Sequence, residues 1–432
     1  MLSLIQSANR ILWGFPMIAL LLGTHLYFSF RLKFPQKQIG KAIRLSVTKE
    51  STSEKGLSGF AALATTLAAT LGTGNIVGVS TAVAFGGPGA VFWCWITGIF
   101  GMATSYAECY LSILFRKTDK NGNYIGGPMY VLEEGLHNKR LAVFYALCTI
   151  AASFGVGCTT QANSISETAK DLWNLSPYAA GFIVSVVTGL VIIGGVKSIG
   201  KVCTKLVPAM GAFYIAGCFI ILWMNRQFVT DAVMLIFRSA FTPTAAFGGF
   251  LGGSVQAGIR YGIARGLFTN EAGLGSSAIA AASADTKSPE RQALISMTAT
   301  FWDTVVMCAI TGIVIISHLI RYPDTLAHCS PAGLTNAAFS TLPFMGELFL
   351  GISLIAFAIA TLIGWSYFGE RAVVYLFGEK GIKTFQVFYL VMIFIGAVMS
   401  LDLVWELTDF INAMMALPNL IALLLLRKLL KT

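Results

Sequence analysis

Hydrophobic residues in this chain come in runs of about twenty, parted by short polar clusters, instead of in the alternating patterns of a water-soluble fold. A helix of about twenty apolar residues spans the hydrocarbon core of a bilayer. The pattern therefore predicts an all-α polytopic membrane protein with about eleven transmembrane helices. They fall near residues 11–30, 58–86, 89–115, 141–163, 177–196, 202–224, 245–283, 288–318, 345–369, 384–400 and 404–426. The first run, Ile11 to Phe30, has no small-x-small cleavage site and leads into further spans, so it reads as a retained helix and not as a signal peptide.

Two runs are interrupted at mid-span. Gly72-Thr73-Gly74-Asn75 lies inside Phe60 to Phe85, and Leu267-Phe268-Thr269-Asn270-Glu271-Ala272-Gly273-Leu274-Gly275 lies inside Ala245 to Ala284. Lipid cannot satisfy bare backbone N–H and C=O groups, so a broken helix at that depth must be buried in protein or line a wet cavity. Paired breaks at matching places in two halves point to a transporter's binding site. With the 11–30 helix set aside, ten spans remain, and the broken ones are the first and the sixth. Five crossings insert the second half upside down, which predicts a five-plus-five inverted repeat, 58–224 and 245–426, within a single membrane domain of residues 1–432. Between the halves, Phe228 to Phe241 reads as a stretch lying along the membrane surface.

Composition agrees: 56% of residues are hydrophobic, 12% are charged, and the mean hydropathy is +0.73, against about 25% charged in soluble proteins. The net charge of +10 could suggest nucleic acid, but its distribution excludes that. If the N-terminus is outside, the inner loops collect Arg31 to Lys55, Arg116 to Lys120, Lys139, Arg140, Lys197 to Lys205, Lys287, Arg291, Arg371, Lys380, Lys383 and Arg427 to Lys431. Outside fall only Arg10, Lys170, Arg226, Arg238 and Arg321. This is the positive-inside pattern of a multi-pass inner-membrane protein with a cytoplasmic C-terminus. The eight cysteines have no metal-ligand spacing and read as free buried thiols.

The first break offers only neutral oxygens and dipoles, since no Asp, Glu, Lys or Arg occurs between Lys55 and Glu108. Carbonyls of Ala68 to Leu71 end one half-helix, and N–H groups near Gly74 and Asn75 start the next. Freed carbonyls suit a cation and a half-helix N-terminus suits a carboxylate. One break can thus hold both ends of a zwitterion. The plainer alternative is a close-packing glycine face formed by Gly72, Gly74 and Gly78. In the second break Thr269 and Asn270 carry oxygens, Phe268 can close over a ligand, and Glu271 is the only acid. An intramembrane acid is a functional candidate by default; its alternative is a salt bridge to Arg265 or Arg260 that pins the broken helix. Gln161 can meet an ammonium or a carboxylate, or bond another helix. Thr361 and Trp365, four apart on one helical face, can line a pocket or simply pack. Glu108 and Asp303 can carry protons or pair near the inner helix ends. No H-E-x-x-H or G-x-S-x-G pattern occurs, and no enzyme chemistry is expected.

Four stretches resemble the alanine-or-glycine:cation symporter family: Gly59 to Gly78, Gln161-Ala162-Asn163, Ala264-Arg265-Gly266-Leu267-Phe268-Thr269-Asn270-Glu271-Ala272-Gly273-Leu274-Gly275-Ser276, and Gly364-Trp365-Ser366-Tyr367-Phe368-Gly369-Glu370. The resemblance covers nearly the whole chain from Gly56 onward. It implies a leucine-transporter-like fold that imports a small amino acid, alanine or glycine, with sodium by alternating access, and needs no organic cofactor. It also implies that Thr73, Gly74 and Asn75 meet the substrate carboxylate and Gln161 its polar end. Phe268, Thr269, Gly273, Thr361 and Trp365 would complete the pocket. Sodium would be held by oxygens of Thr70, Asn75 and Thr269, with a second ion between Ala68, Leu71 and Thr361. Thr269 stands where the family more often has Ser, which keeps the hydroxyl and adds a methyl. The lack of an acid in the first broken helix favours sodium over a proton. The rival readings are a proton-coupled carrier using Glu271 or Glu108, a channel, and an intramembrane enzyme.

Overall fold

The computed structural model describes residues 9, 12–13, 15–48, 56–120, 122–242, 254–343, 345–399 and 402–431. The early part of the seventh expected span (245–253), the start of the first, and the basic residues Arg10, Lys49 and Lys55 lie outside the described residues.

Fifteen helices carry the argument. The first two are α1 (Phe15–Arg31) and α2 (Ile39–Val47), bent 65° from one another. Next come α3 (Gly59–Thr70), α4 (Val77–Gly86), α5 (Gly89–Leu114), α6 (Lys139–Trp173), α7 (Pro177–Ile192) and α8 (Gly195–Met224). Then follow α9 (Arg226–Ser239), α10 (Val255–Asn270), α11 (Ser276–Ala282), α12 (Pro289–Arg321), α13 (Gly346–Phe377), α14 (Gly381–Val398) and α15 (Asp402–Leu425). The order is a broken helix and four more, twice over: α3/α4 with α5 to α8, then α10/α11 with α12 to α15. The stretch expected along the surface between the halves is helix α9, which packs on α12 and α5.

The spans lie where hydropathy put them, but several run longer. The apolar window of 141–163 is the middle of α6, whose polar end carries Ser164, Glu167 and Lys170. Hydropathy marks the hydrocarbon-crossing part of a helix, whereas hydrogen bonding continues past it. The expected total of about eleven spans is not reproduced as such. Among the described residues seven helices are long and apolar enough to cross a bilayer, and nine if each bent pair is one span. The α10/α11 segment is not among them, its described helices being 16 and 7 residues long.

Serine caps set where the broken helices begin. Ser58 Oγ accepts the Ala61 N–H and Ser254 Oγ accepts the Ala257 N–H, both at 3.1 Å, satisfying a donor that a helix start leaves bare. Glycines then let helices approach. Gly258, Gly262 and Gly266 form a small-residue stripe on α10 against α5, where a Cβ on Gly262 would sit 2.3 Å from the Ala90 carbonyl and one on Gly266 2.0 Å from Thr97 Oγ1. The close-packing face is therefore here. Gly72 and Gly74 stand at a true break, and around Gly78 only the Arg265 Cδ comes within 4.0 Å of an added Cβ. Large exposed apolar side chains such as Leu190, Trp223, Phe377 and Phe388 lie on α7, α8, α13 and α14, the faces left for lipid.

Candidate functional site

At the first break α3 stops at Thr70, Leu71 and Gly72 are extended, and a single 3-10 turn over Thr73–Asn75 leads into α4 with a bend of 62°. The turn is held by Asn75, which is fully buried: its Oδ1 accepts the Gly72 N–H at 3.0 Å. The last carbonyls of α3 and the Thr73 and Gly74 N–H groups that open the next turn are those for which a helix end has no internal partner. Groups suited to a cation and to an anion thus lie within one turn of chain.

The second break lies close by. Glu271, Gly273 and Gly275 have φ of 55°, 98° and 81°, a left-handed path that only glycine follows freely. The two breaks meet through Thr269, whose Oγ1 would lie 3.1 Å from a Cβ on Gly74. From α13, the Thr361 Oγ1 would lie 2.8 Å from a Cβ on Gly72, and it donates to the Phe357 carbonyl (3.0 Å) and the Leu71 carbonyl (3.3 Å). Thr269 Oγ1 donates to the Arg265 carbonyl at 2.8 Å. Each hydroxyl has spent its proton on a carbonyl, so its lone pairs are what it can offer a cation.

Gln161, on α6 just beyond a π turn over Gly155–Thr159, donates through Nε2 to the Val156 carbonyl of its own helix at 3.1 Å. Among the described residues its Oε1 is buried without a partner, 3.8 Å from the position of a Cβ on Gly72, and the amide makes no interhelical bond; it points an unmet acceptor at the first break. Trp365 is wholly buried and packs on Gly157, where a Cβ would come within 2.1 Å of its own Cβ. Phe268, Thr73 and Gly74 border a cavity of about 410 Å³ with Gly78, Arg265 and Glu167. Asn75, Gln161, Thr269, Thr361 and Trp365 lie behind that lining, all buried.

Thr70, Gly273 and Glu271 are each engaged by other groups. Thr70 Oγ1 donates back to the Thr66 carbonyl (3.3 Å), as Thr269 and Thr361 do to theirs, so its lone pairs stay available, whereas the Leu71 carbonyl already accepts from Thr361. Gly273 gives its N–H to Glu108 Oε1 (2.8 Å) and its carbonyl to Asn419 Nδ2 (2.9 Å), and neither group is turned to the first break. Glu271 forms no salt bridge with Arg265 or Arg260 among the described residues. It accepts from Trp365 Nε1 at 3.1 Å and from the Ser276 hydroxyl, while Arg265 lies over Phe268 and Arg260 over Tyr261. The expected arginine partner is replaced by a tryptophan and a serine.

Asp303 is the residue sequence reasoning left out of the site. It lies in a π-helical stretch of α12, Phe301–Cys308, far from any inner helix end, and is fully buried. Its Oδ1 accepts from Asn75 Nδ2 at 2.7 Å, and its Oδ2 from Thr304 Oγ1 at 2.6 Å. The first break is therefore not served by neutral groups alone: a carboxylate reaches it from another helix. The only signal in the sequence was a lone acid in the middle of an apolar run.

The opposite end is shut. Leu57 pairs with Ala284, its N–H reaching the Ser283 carbonyl (2.9 Å) and its carbonyl taking the Asp285 N–H (2.7 Å). Arg116 ties the Ala282, Ala284 and Thr286 carbonyls together at 3.3, 2.6 and 2.7 Å and stacks on Tyr124.

Two broken helices that meet at a buried polar site, with one end of the bundle closed over it, suit an alternating-access membrane carrier. The whole chain, residues 1–432, matches the model of the sodium:alanine symporter family, and the chain belongs to that family. It is a sodium-coupled amino-acid symporter with a leucine-transporter-like fold. The sodium/alanine symporter AgcS of Methanococcus maripaludis is 46% identical over 98% of this chain and 94% of its own length. A probable sodium/glutamine symporter, GlnT of Bacillus subtilis, is 36% identical over 98% and 87%. Among solved structures, MhsT in complex with L-phenylalanine superposes with a TM-score of 0.62 at 16% identity, over 87% of this chain and 90% of that one. At that identity the likeness speaks for the fold.

Proposed function

We propose that this chain imports a small neutral amino acid, alanine or glycine, together with sodium. The N-terminus is outside, the C-terminus is cytoplasmic, and 58–224 and 245–426 act as the inverted repeats. The observation that carries this reading is the unmet Gln161 Oε1 aimed at the first break. A buried acceptor left bare costs about 1–3 kcal/mol, and an ammonium donor would satisfy it. The carboxylate then meets the N–H groups of Thr73 and Gly74, and Phe268, Thr361 and Trp365 bound a space for a short side chain. Sodium sits among oxygens of Thr269, Asn75 and the α3 carbonyls of Ala68, Thr70 and Leu71, with Thr361 nearby. Asp303, bonded to Asn75, supplies negative charge to the ion without touching the substrate.

The driving force is sufficient. One charge crossing 100 mV and a tenfold sodium gradient together supply about 3.7 kcal/mol, which supports several-hundredfold accumulation. The test is uptake of labelled alanine and glycine into proteoliposomes with the sodium and pH gradients imposed separately. Uptake that follows sodium and saturates is expected. Uptake that follows only the pH gradient, or does not saturate, would overturn the coupling or the carrier mechanism.

A further inference from the structure

The chain turns sharply at the end of α1 and runs on as a short helix that the transport site does not use. Lys33 and Phe34 have φ of 54° and 60°, a left-handed turn that sets α2 at 65° to α1. With nine residues, α2 is about 14 Å long, roughly half the thickness of a hydrocarbon core. It is too short to cross the bilayer and lies against the end of the bundle, packed on α12 and α3. Arg291 of α12 fastens its last turn, donating to the Thr48 carbonyl at 2.9 Å.

The two faces of α2 differ in kind. Ala42 and Ser46 are buried, and Ile39 and Leu45 are half-buried against the core. Lys41 and Arg44 project from the opposite side, and Lys37 extends that row by one turn. With Arg31 and Lys33 they make five exposed cations, and the sequence has no Asp or Glu before Glu50. Among the described residues none of the five is in an ion pair, whereas Lys117 pairs with Glu134 at 2.5 Å and Arg371 with Glu370. Bare apolar side chains flank the row: Phe30 is 67% exposed and Val47 72%.

The positive-inside bias asks for charge in a loop and not for one face of a helix. Unpaired cations beside exposed apolar groups, at the end of a membrane span, complement an anionic lipid: head on the charges, acyl chain beside them. A soluble anion would meet the charge and find no use for Phe30 and Val47. We propose that Arg31, Lys33, Lys37, Lys41 and Arg44 dock the headgroups of anionic phospholipids of the inner leaflet and hold α2 along the membrane surface. Through the packing of α2, the lipid also holds the adjoining ends of α12 and α3. The choice of leaflet rests on the orientation proposed above; the headgroup contact does not.

Native mass spectrometry of the purified full chain, titrated with dioleoylphosphatidylglycerol, dioleoylphosphatidylcholine or inorganic phosphate, counts bound molecules directly. The wild type should retain phosphatidylglycerol and neither of the others. Each basic residue near an anionic surface adds about fivefold to binding. Binding by K37Q/K41Q/R44Q should therefore be about a hundredfold weaker, and by Lys41→Gln alone about fivefold weaker. K197Q/K201Q/K205Q, which removes three exposed lysines from the start of α8, should bind as the wild type does. Equal retention of phosphatidylcholine or phosphate, wild-type binding by K37Q/K41Q/R44Q, or an equal loss in K197Q/K201Q/K205Q would each overturn the docking surface. Melting curves establish that the variants are folded, and Lys41→Gln carries the test if the triple variant is not. Labelling of Lys41→Cys by an impermeant maleimide added outside intact cells would contradict the orientation instead, so the two failures are told apart.

Discussion

Replacing Asn75 by alanine removes the clasp of the first break. Four hydrogen bonds vanish: the Gly72 N–H to Oδ1 (3.0 Å), and Nδ2 to the Asp303 carbonyl (3.1 Å), the Asp303 carboxyl (2.7 Å) and Cys308 Sγ (3.4 Å). Neutral bonds contribute about 1 kcal/mol each, bonds to charged groups about 1.5–3, and stranded buried partners add their desolvation. Much of this falls on the folded protein in every state. The part borne by the ion-bound form is the loss of one side-chain oxygen and of a fixed Asp303, about 3 kcal/mol. At 1.4 kcal/mol per decade, sodium affinity should fall by roughly two orders of magnitude, and alanine affinity with it. Scintillation-proximity binding of labelled alanine across a sodium titration measures both, and a melting curve confirms that the variant is folded. A folded Asn75→Ala protein with wild-type midpoints for both ligands would refute the placement of the ion at this turn.

Other expectations follow from the same geometry. Gln161→Leu removes the unmet acceptor and should weaken alanine binding by about 1–3 kcal/mol, roughly 5- to 140-fold, while sodium binding without substrate is unchanged in a ²²Na⁺ assay. Arg116→Ala frees the three carbonyls at the shut end. It should shift the protein towards a state open at that end, read as faster thiol labelling of Ser283→Cys in the Arg116→Ala background than of Ser283→Cys alone. Gly266→Ala drives a methyl to within 2.0 Å of Thr97 Oγ1 and should lower the melting temperature by several degrees, a cost of about 1–3 kcal/mol for overpacking. An unchanged melting temperature would show that α10 and α5 do not pack as tightly as described.

Much of the fold was legible because a bilayer restricts the backbone so strongly. An unbroken apolar run can only be a helix, and polar residues at Gly72 to Asn75 or at Phe268 to Gly275 can only interrupt one. The approach of Gly72 and Gly74 to Thr361 and Thr269 was likewise signalled, since both breaks had to be buried against protein. What stayed hidden is rotational. Sequence says that Glu271, Glu108 and Asp303 lie in spans, but not which neighbour each faces. Glu271 met Trp365 and not an arginine, and Asp303 met Asn75 because the π stretch at Phe301–Cys308 turns that part of α12. Gly273 shows the same limit: its motif position placed it with the substrate, whereas its left-handed backbone directs both its polar groups to Glu108 and Asn419. The argument that the first break lacks an acid held for its own helix and missed the one supplied by α12.

The central claim is that the two breaks form one site in which amino acid and sodium support each other. Thermodynamic linkage makes this testable without transport: whatever factor sodium adds to alanine affinity, alanine must add to sodium affinity. Equilibrium titrations of purified protein with labelled alanine at fixed sodium, and with ²²Na⁺ at fixed alanine, should give the same enhancement of at least tenfold. Sodium affinity that does not respond to alanine would contradict a shared site.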